Sequence, residues 1–169
     1  MTDAKLVVFA HGKESGPWGA KIQALAEVAG DCGYAVLSPD FSDLSDAAGR
    51  VPRLLEQIPK KPGELILVGS SMGGYVCLAA SPVLKPRGLF LMAPAIGLPG
   101  YERTDPAPQA ERTLIVHAWQ DAIVPAANVI AFAQRHQTQL HLLDSDHRLL
   151  NVLPLICLLF REFLRAGEK

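Results

Sequence analysis

The sequence has few cysteines and no excess of charge of either sign. Its three cysteines (Cys32, Cys77 and Cys157) cannot form a complete disulfide set, and none lies in a C-x-x-C pair. We therefore expect reduced thiols and a cytoplasmic protein. The 16 basic and 17 acidic residues leave a formal net charge of −1. That balance argues against binding to nucleic acid through general electrostatic attraction.

Long hydrophobic runs are also missing. The most membrane-like segment, residues 149–160, contains Asn151 and Pro154 and is shorter than the roughly 20 apolar residues that a spanning helix needs. A buried C-terminal helix explains it better. The polar start of the chain, residues 1–5, lacks the features of a signal peptide. We therefore expect no membrane insertion.

Two nucleotide-binding motifs are absent. No lysine follows Gly73 or Gly74 in the way a phosphate-binding loop requires, and no G-x-G-x-x-G occurs. The sequence also shows no internal repeat, which excludes repeat architectures. Nucleotide binding therefore has no support from motifs.

What the 169 residues do contain is a regular alternation of short apolar runs with helical periodicity. An apolar content of 49% is enough for one core, and we expect one domain over residues 1–169. The pattern predicts strands at residues 6–10, 34–37, 65–68, 89–92, 113–117 and 140–143. Helices are predicted at residues 18–32, 43–58, 74–80, 126–137 and 150–165. Gly49 and Pro52 interrupt the second helix, which could begin as late as Arg50.

Uniformly apolar strands that alternate with helices predict a mostly parallel sheet covered on both faces, a three-layer α/β/α sandwich. Ligands of such sheets bind beyond the carboxyl ends of the strands. The loops that follow the strands are therefore where functional residues are expected.

The loop after the third strand contains Gly69-Ser70-Ser71-Met72-Gly73, a G-x-S-x-G pattern between a strand and a helix. This pattern places a serine on a sharp turn above the sheet, and its glycines allow strand and helix to approach closely. Ser71 is the candidate nucleophile, and the N–H of Met72 could bind an oxyanion. The alternative is a glycine-rich turn without chemistry.

A serine nucleophile needs a base and an orienting acid. His147, in the loop after the last strand, is the favoured base over the other four histidines, His11, His117, His136 and His141. Asp121 follows the fifth strand and fits the chain order serine, acid, histidine. Its competitors are Asp40, Asp144 and Asp146, and its alternative role is that of a helix-cap or turn carboxylate.

His11-Gly12 follows the first strand. Gly12 allows a close turn, and the N–H of Lys13 could supply a second oxyanion donor opposite Met72. The Lys13 side chain is expected to be solvated.

Together these motifs resemble the α/β-hydrolase superfamily, and within it the small, single-domain bacterial esterase-like serine hydrolases. The resemblance implies Ser71 as nucleophile, His147 as base, Asp121 as acid, Met72 and Lys13 as oxyanion donors, and no metal or organic cofactor. It also implies the strand order 2-1-3-4-5-6. The family sheet commonly has eight strands, whereas the pattern predicts six here. Residues 93–112 are rich in proline and glycine, and indicate a loop rather than a cap domain.

The expected reaction is hydrolysis of a small soluble ester, because a site without a cap should be open and shallow. Candidates for the pocket wall are Trp18, Tyr75, Leu98, Tyr101 and Trp119. Two alternatives remain: a non-catalytic interaction protein on the same fold, and a thioesterase or acyltransferase that uses the same residues. The sequence determines neither the physiological substrate nor the oligomeric state.

Overall fold

In the computed structural model, which describes residues 4–60 and 62–167, six strands form one sheet. The strands are β1 (Lys5–Ala10), β2 (Ala35–Leu37), β3 (Glu64–Ser70), β4 (Gly88–Met92), β5 (Arg112–Ala118) and β6 (Gln139–Leu143). Their order is β2-β1-β3-β4-β5-β6, and every neighbouring pair is parallel. The predicted order and strand count are confirmed.

Helices cover both faces of this sheet. They are α1 (Ala20–Asp31), α2 (Ala47–Gln57), α3 (Met72–Leu84), α4 (Ala126–His136) and α5 (Leu153–Arg165), the last preceded by a 3-10 turn (Leu150–Val152). Helices α1 and α5 pack against one face, and α2, α3 and α4 against the other. The three-layer α/β/α sandwich is therefore confirmed.

The two cores explain why the strands are largely apolar. In β1, Val7 and Phe9 point into the core under α1 and α5, whereas Val8 and Ala10 point into the core under α2 and α3. These four side chains are at most 1% exposed. Because both faces are covered, the inner positions of the strand are all apolar, and its charged residue, Lys5, stands at its beginning.

Helix α2 begins at Ala47, between the two starts that the sequence left open, residue 43 and Arg50. The Asp46 side chain accepts a hydrogen bond from the Gly49 N–H and caps the helix at this point. Pro52 lies inside the helix, on its exposed side. Helix α3 continues past its predicted end at residue 80 and ends at Leu84, with Pro82 inside it.

Residues 93–111, between β4 and β5, contain no helix or strand and form no cap domain. This segment is nevertheless tied to the sheet edge. The Ala95 N–H donates to the Ser71 carbonyl at 3.0 Å, and the Asn128 side chain donates to the Ile96 carbonyl at 3.0 Å. The segment therefore lies beside the loop that carries Ser71. Within the described residues, no helix is long and apolar enough to cross a membrane.

Candidate active site

Ser71 stands at the junction of β3 and α3 in a strained backbone conformation. Its φ of 53° and ψ of −118° are unusual for a residue with a side chain, and such conformations cost on the order of 1–3 kcal/mol. The surroundings hold this turn: the Ser71 N–H donates to Met92 O at 2.9 Å, and the Ser71 carbonyl accepts from Ala95 at 3.0 Å. The serine is thus lifted above the carboxyl ends of the strands.

Two glycines make that turn possible. A β-carbon on Gly73 would stand 1.9 Å from the Ala10 carbonyl oxygen, and one on Gly69 would stand 2.5 Å from the Gly73 oxygen. Both clashes are with backbone atoms, which cannot move aside cheaply. The G-x-S-x-G pattern is therefore required by the close approach of β1, β3 and α3.

Three side chains from separate loops converge into a hydrogen-bonded relay. His147 Nε2 lies 3.0 Å from Ser71 Oγ, and His147 Nδ1 lies 2.7 Å from Asp121 Oδ2. The carboxylate can only accept, so Nδ1 carries the proton and Nε2 is free to accept from the serine hydroxyl. The structure brings together the three residues that the sequence analysis selected.

Asp121 is held rigidly by its own loop. Its Oδ1 accepts hydrogen bonds from the N–H groups of Ile123 and Val124, both at 2.8 Å, and its side chain is fully buried. One oxygen of Asp121 therefore accepts hydrogen bonds within a turn and the other contacts His147, so the two roles considered for this residue are compatible. A carboxylate fixed in this way cannot rotate away from the imidazole.

The other histidines have different partners. His136 contacts Asp105 at 3.0 Å. His117 is buried, donates to the Val124 carbonyl at 3.0 Å and lies 3.6 Å from Asp121 Oδ2. Burial lowers the pKa of His117 below its usual value. It is thus a second imidazole beside the carboxylate oxygen that His147 contacts, and its burial disfavours the charged form.

The candidate oxyanion donors lie beside the serine. Met72 is the first residue of α3, where unpaired N–H groups and the helix dipole favour negative charge. Gly12 packs against the turn: a β-carbon added to it would lie 3.6 Å from Ser71 Cβ. The exposed Lys13 follows directly.

The pocket candidates fall into two groups. Trp18 and Trp119 are about half exposed, at 49% and 56%. Tyr75 is buried against Tyr101, with ring centroids 4.6 Å apart, and its hydroxyl accepts from the Arg103 N–H. The two tyrosines line a groove between α2, α3 and residues 100–109 that does not include Ser71, so Tyr75 does not face the relay through this groove.

Sequence reasoning missed two cationic residues near this site. Lys21 of α1 donates to Ser70 Oγ at 3.0 Å, and burial, followed by the charge of Arg148, lowers its pKa to about 8. Arg50 of α2 is 1% exposed. Both residues lie among the polar positions of the predicted helices, where a lysine or arginine is common, so no local signal in the sequence indicated that they are buried.

The described residues contain no group of three or more His, Cys, Asp or Glu side chains arranged to hold a metal ion. The reactive groups that the site brings together are the Ser71 hydroxyl, the His147 imidazole and the Asp121 carboxylate.

Comparison with known proteins identifies the family of the chain. The sequence pattern of the alpha/beta hydrolase family matches residues 7–163. The chain therefore belongs to the α/β hydrolase family, and its fold and relatives support a hydrolase. No curated protein matches the chain.

Solved structures show the same fold. A protein from Xanthomonas campestris pv. campestris, assigned to the hydrolases of the α/β superfamily, is 38% identical with a TM-score of 0.86; the match covers 98% of this chain and 99% of that one. Est1E from Butyrivibrio proteoclasticus is 20% identical over 95% and 87% of the two chains, with a TM-score of 0.78. The Pyrococcus furiosus esterase Pf2001 is 21% identical over 96% and 83%, with a TM-score of 0.72.

Proposed function

We propose that this protein is a serine hydrolase that cleaves a small soluble ester through Ser71, His147 and Asp121. The observation that carries the proposal is the relay of hydrogen bonds, 3.0 Å from Ser71 to His147 and 2.7 Å from His147 to Asp121. A serine hydroxyl is a weak nucleophile unless a base accepts its proton. The relay supplies that base in the tautomer that can accept.

In the first step Ser71 Oγ attacks the ester carbonyl carbon, and its proton moves to His147 Nε2. The buried Asp121 carboxylate stabilises the imidazolium that forms. The carbonyl π electrons move to oxygen, where the N–H groups of Met72 and Lys13 hold the oxyanion. The tetrahedral intermediate then collapses, and His147 donates its proton to the leaving alcohol.

The second step reverses these roles with water. His147 removes a proton from water, and the hydroxide attacks the carbonyl of the acyl-enzyme. Collapse of the second intermediate breaks the bond to Ser71 Oγ, which recovers its proton from His147. The products are the free acid and the unmodified serine.

Several observations support a small ester as the substrate. The absence of a cap domain leaves the serine loop without the large apolar wall that long acyl chains need. Est1E has been solved with ferulic acid bound, and the Pyrococcus protein is an esterase, on the same fold. Thioester hydrolysis and acyl transfer would use the same three residues and remain the second candidate activity.

We further propose one domain over residues 1–169 and a cytoplasmic location. The three free cysteines support that location.

An active-site probe tests the catalytic proposal. A fluorophosphonate should label wild-type protein at Ser71, and Ser71→Ala should remain unlabelled. Ser70→Ala is the matched control, because it removes the neighbouring hydroxyl and should still react. Folded wild-type protein that takes up no probe would be a non-catalytic protein on this fold. Parallel assays with ester and thioester substrates then distinguish the two hydrolytic activities.

A further inference from the structure

Arg50 is a buried cation that binds backbone carbonyls. Its guanidinium donates from Nε to Leu44 O at 3.1 Å, and from Nη1 to His11 O at 2.8 Å and Gly12 O at 3.3 Å. Among the described carboxylates, none forms an ion pair with it. Burying a charge is costly unless its hydrogen-bond donors are satisfied. The three backbone carbonyls therefore stabilise the Arg50 guanidinium in its buried position.

The Gly12 carbonyl receives a second donor from His11. The Phe41 N–H donates to His11 Nε2 at 2.9 Å, so this nitrogen carries no proton. The proton therefore lies on Nδ1, which is 2.7 Å from Gly12 O and donates to it. Burial lowers the pKa of His11, and the nearby Arg50 charge lowers it further. The imidazole consequently stays neutral and keeps this arrangement.

The Gly12–Lys13 peptide links these contacts to the serine. The described residues contain no cis peptide, so the Gly12 C=O and the Lys13 N–H point in opposite directions across one plane. Arg50 and His11, together with the Ser15 hydroxyl at 3.5 Å, hold the C=O side, which leaves the N–H directed away from Arg50 and His11. Gly12 itself packs on the Ser71 turn.

We infer that Arg50 is a positioning residue that orients the Gly12–Lys13 peptide so that the Lys13 N–H faces the oxyanion. The inference rests on the proposed function, because only a reaction at Ser71 creates that oxyanion. The guanidinium also polarises the peptide, which strengthens the N–H as a donor. Arg50 does not touch substrate; it acts through the peptide.

The test compares Arg50→Met with wild type. Arg53→Met is the matched control, since Arg53 lies one turn along α2 and pairs on the surface with Asp43. We expect kcat per fluorophosphonate-titrated site to fall about 10- to 100-fold in Arg50→Met, because misplacing one donor loses much of its contribution. KM should change less than about threefold. Affinity for a trifluoromethyl ketone, which forms an oxyanion on the serine, should fall in parallel with kcat/KM.

A purely structural role would lower the melting temperature while kcat per titrated site and ketone affinity stayed at wild-type values, and this result overturns the inference. A rise in KM without loss of kcat overturns it as well. If Arg50→Met does not fold, the decision comes from the wild-type structure with the ketone bound. Lys13 N–H within hydrogen-bonding distance of the adduct oxygen, with Gly12 O still bound by Arg50, supports the inference; an oxygen held by other groups overturns it.

The two proposals fail differently. Wild-type protein that hydrolyses no ester and reacts with neither compound overturns the proposed function, and the inference with it. Reactive wild-type protein with an unchanged Arg50→Met variant overturns the inference alone.

Discussion

Lys21 donates a hydrogen bond to the hydroxyl of Ser70, the residue directly before the proposed nucleophile, at 3.0 Å. The contact joins α1 to the end of β3. It holds a largely buried ammonium group next to the hydrogen-bonded relay, where its environment favours the neutral amine.

The position of Lys21 predicts a pH-dependent stability gain on substitution. Its pKa is about 8 in the folded protein, whereas an unfolded lysine titrates near about 10.4. Below pH 8 Lys21 is charged in both the folded and the unfolded protein, and only the folded protein bears the cost of burying that charge. Between pH 8 and about 10.4 the unfolded chain binds more protons than the folded protein, so the free energy of unfolding rises with pH. Lys21→Met should therefore raise the free energy of unfolding at pH 7 by about 1–2 kcal/mol after loss of the Ser70 bond.

Urea denaturation at pH 7 and pH 9.5 measures this effect. The difference in the free energy of unfolding between Lys21→Met and wild type should be smaller at pH 9.5 than at pH 7. Lys13→Met, at an exposed side chain, is the control and should change stability by less than about 0.5 kcal/mol. A Lys21→Met protein that is less stable than wild type at pH 7 would show that the hydrogen bond outweighs the burial penalty.

Ser71 and His147 should behave as one unit. Ser71→Ala, His147→Ala and the double variant should lose ester-hydrolysing activity to about the same level, because each disables the same proton transfer. Measurement of kcat for all three proteins checks this. If the losses multiply, His147 acts in a step separate from Ser71.

Asp121→Asn should inactivate the enzyme without unfolding it. The amide oxygen can keep the two bonds from Ile123 and Val124, which turns the NH2 group toward His147 Nδ1. Nδ1 must then accept, so the proton moves to Nε2 and the serine proton has no acceptor. We expect kcat to fall by roughly 10³–10⁴. An unchanged melting temperature would show that the loss of activity comes from the wrong histidine tautomer and not from unfolding. Retention of more than a tenth of kcat would contradict the assignment of Asp121 as the acid.

His117 should make stability fall in acid. Burial lowers its pKa in the folded state, so below about pH 6.5 the unfolded chain takes up a proton that the folded protein does not. The free energy of unfolding should therefore decrease from pH 7 to pH 5. His117→Gln can keep a donor to Val124 O and should flatten this profile in denaturation experiments; an equally steep profile would assign the acid sensitivity to other groups.

Gly73→Ala should unfold or severely destabilise the protein. The added methyl group would stand 1.9 Å from the Ala10 oxygen and 2.4 Å from the Ala10 carbonyl carbon, and neither can move without shifting β1. We expect a loss of more than about 4 kcal/mol. Gly30→Ala is the control: it meets nothing within 4 Å in α1 and should stabilise the helix by about 0.5–1 kcal/mol. Thermal melts of both variants decide the comparison.

The strands themselves and the position of the serine turn could be predicted from the sequence because both leave local signals, whereas the order of the strands came from the resemblance to the α/β-hydrolase superfamily. A strand buried on both faces needs apolar side chains along its covered length, as in residues 6–10 of β1 and 65–68 of β3. The Ser71 turn needs glycines at fixed spacing. The start of α2 stayed open between residue 43 and Arg50, because Gly49 and Pro52 have low helix propensity. In the fold the cap from Asp46 and the burial of Leu54 outweigh them, and the helix begins at Ala47.

The residues alone therefore determined the layers, the parallel sheet and which side chains could carry the chemistry. Only the tertiary structure decided that His147, 76 residues after Ser71 and 26 after Asp121, reaches both within hydrogen-bonding distance. It alone also placed Arg50 on the Gly12 carbonyl and Lys21 on Ser70. The periodicity of helices and strands can be read from neighbouring residues in the sequence, but contacts between distant side chains depend on how the helices pack over the sheet. A polar residue on a helix therefore gives no local sign of the carbonyl that it will bind.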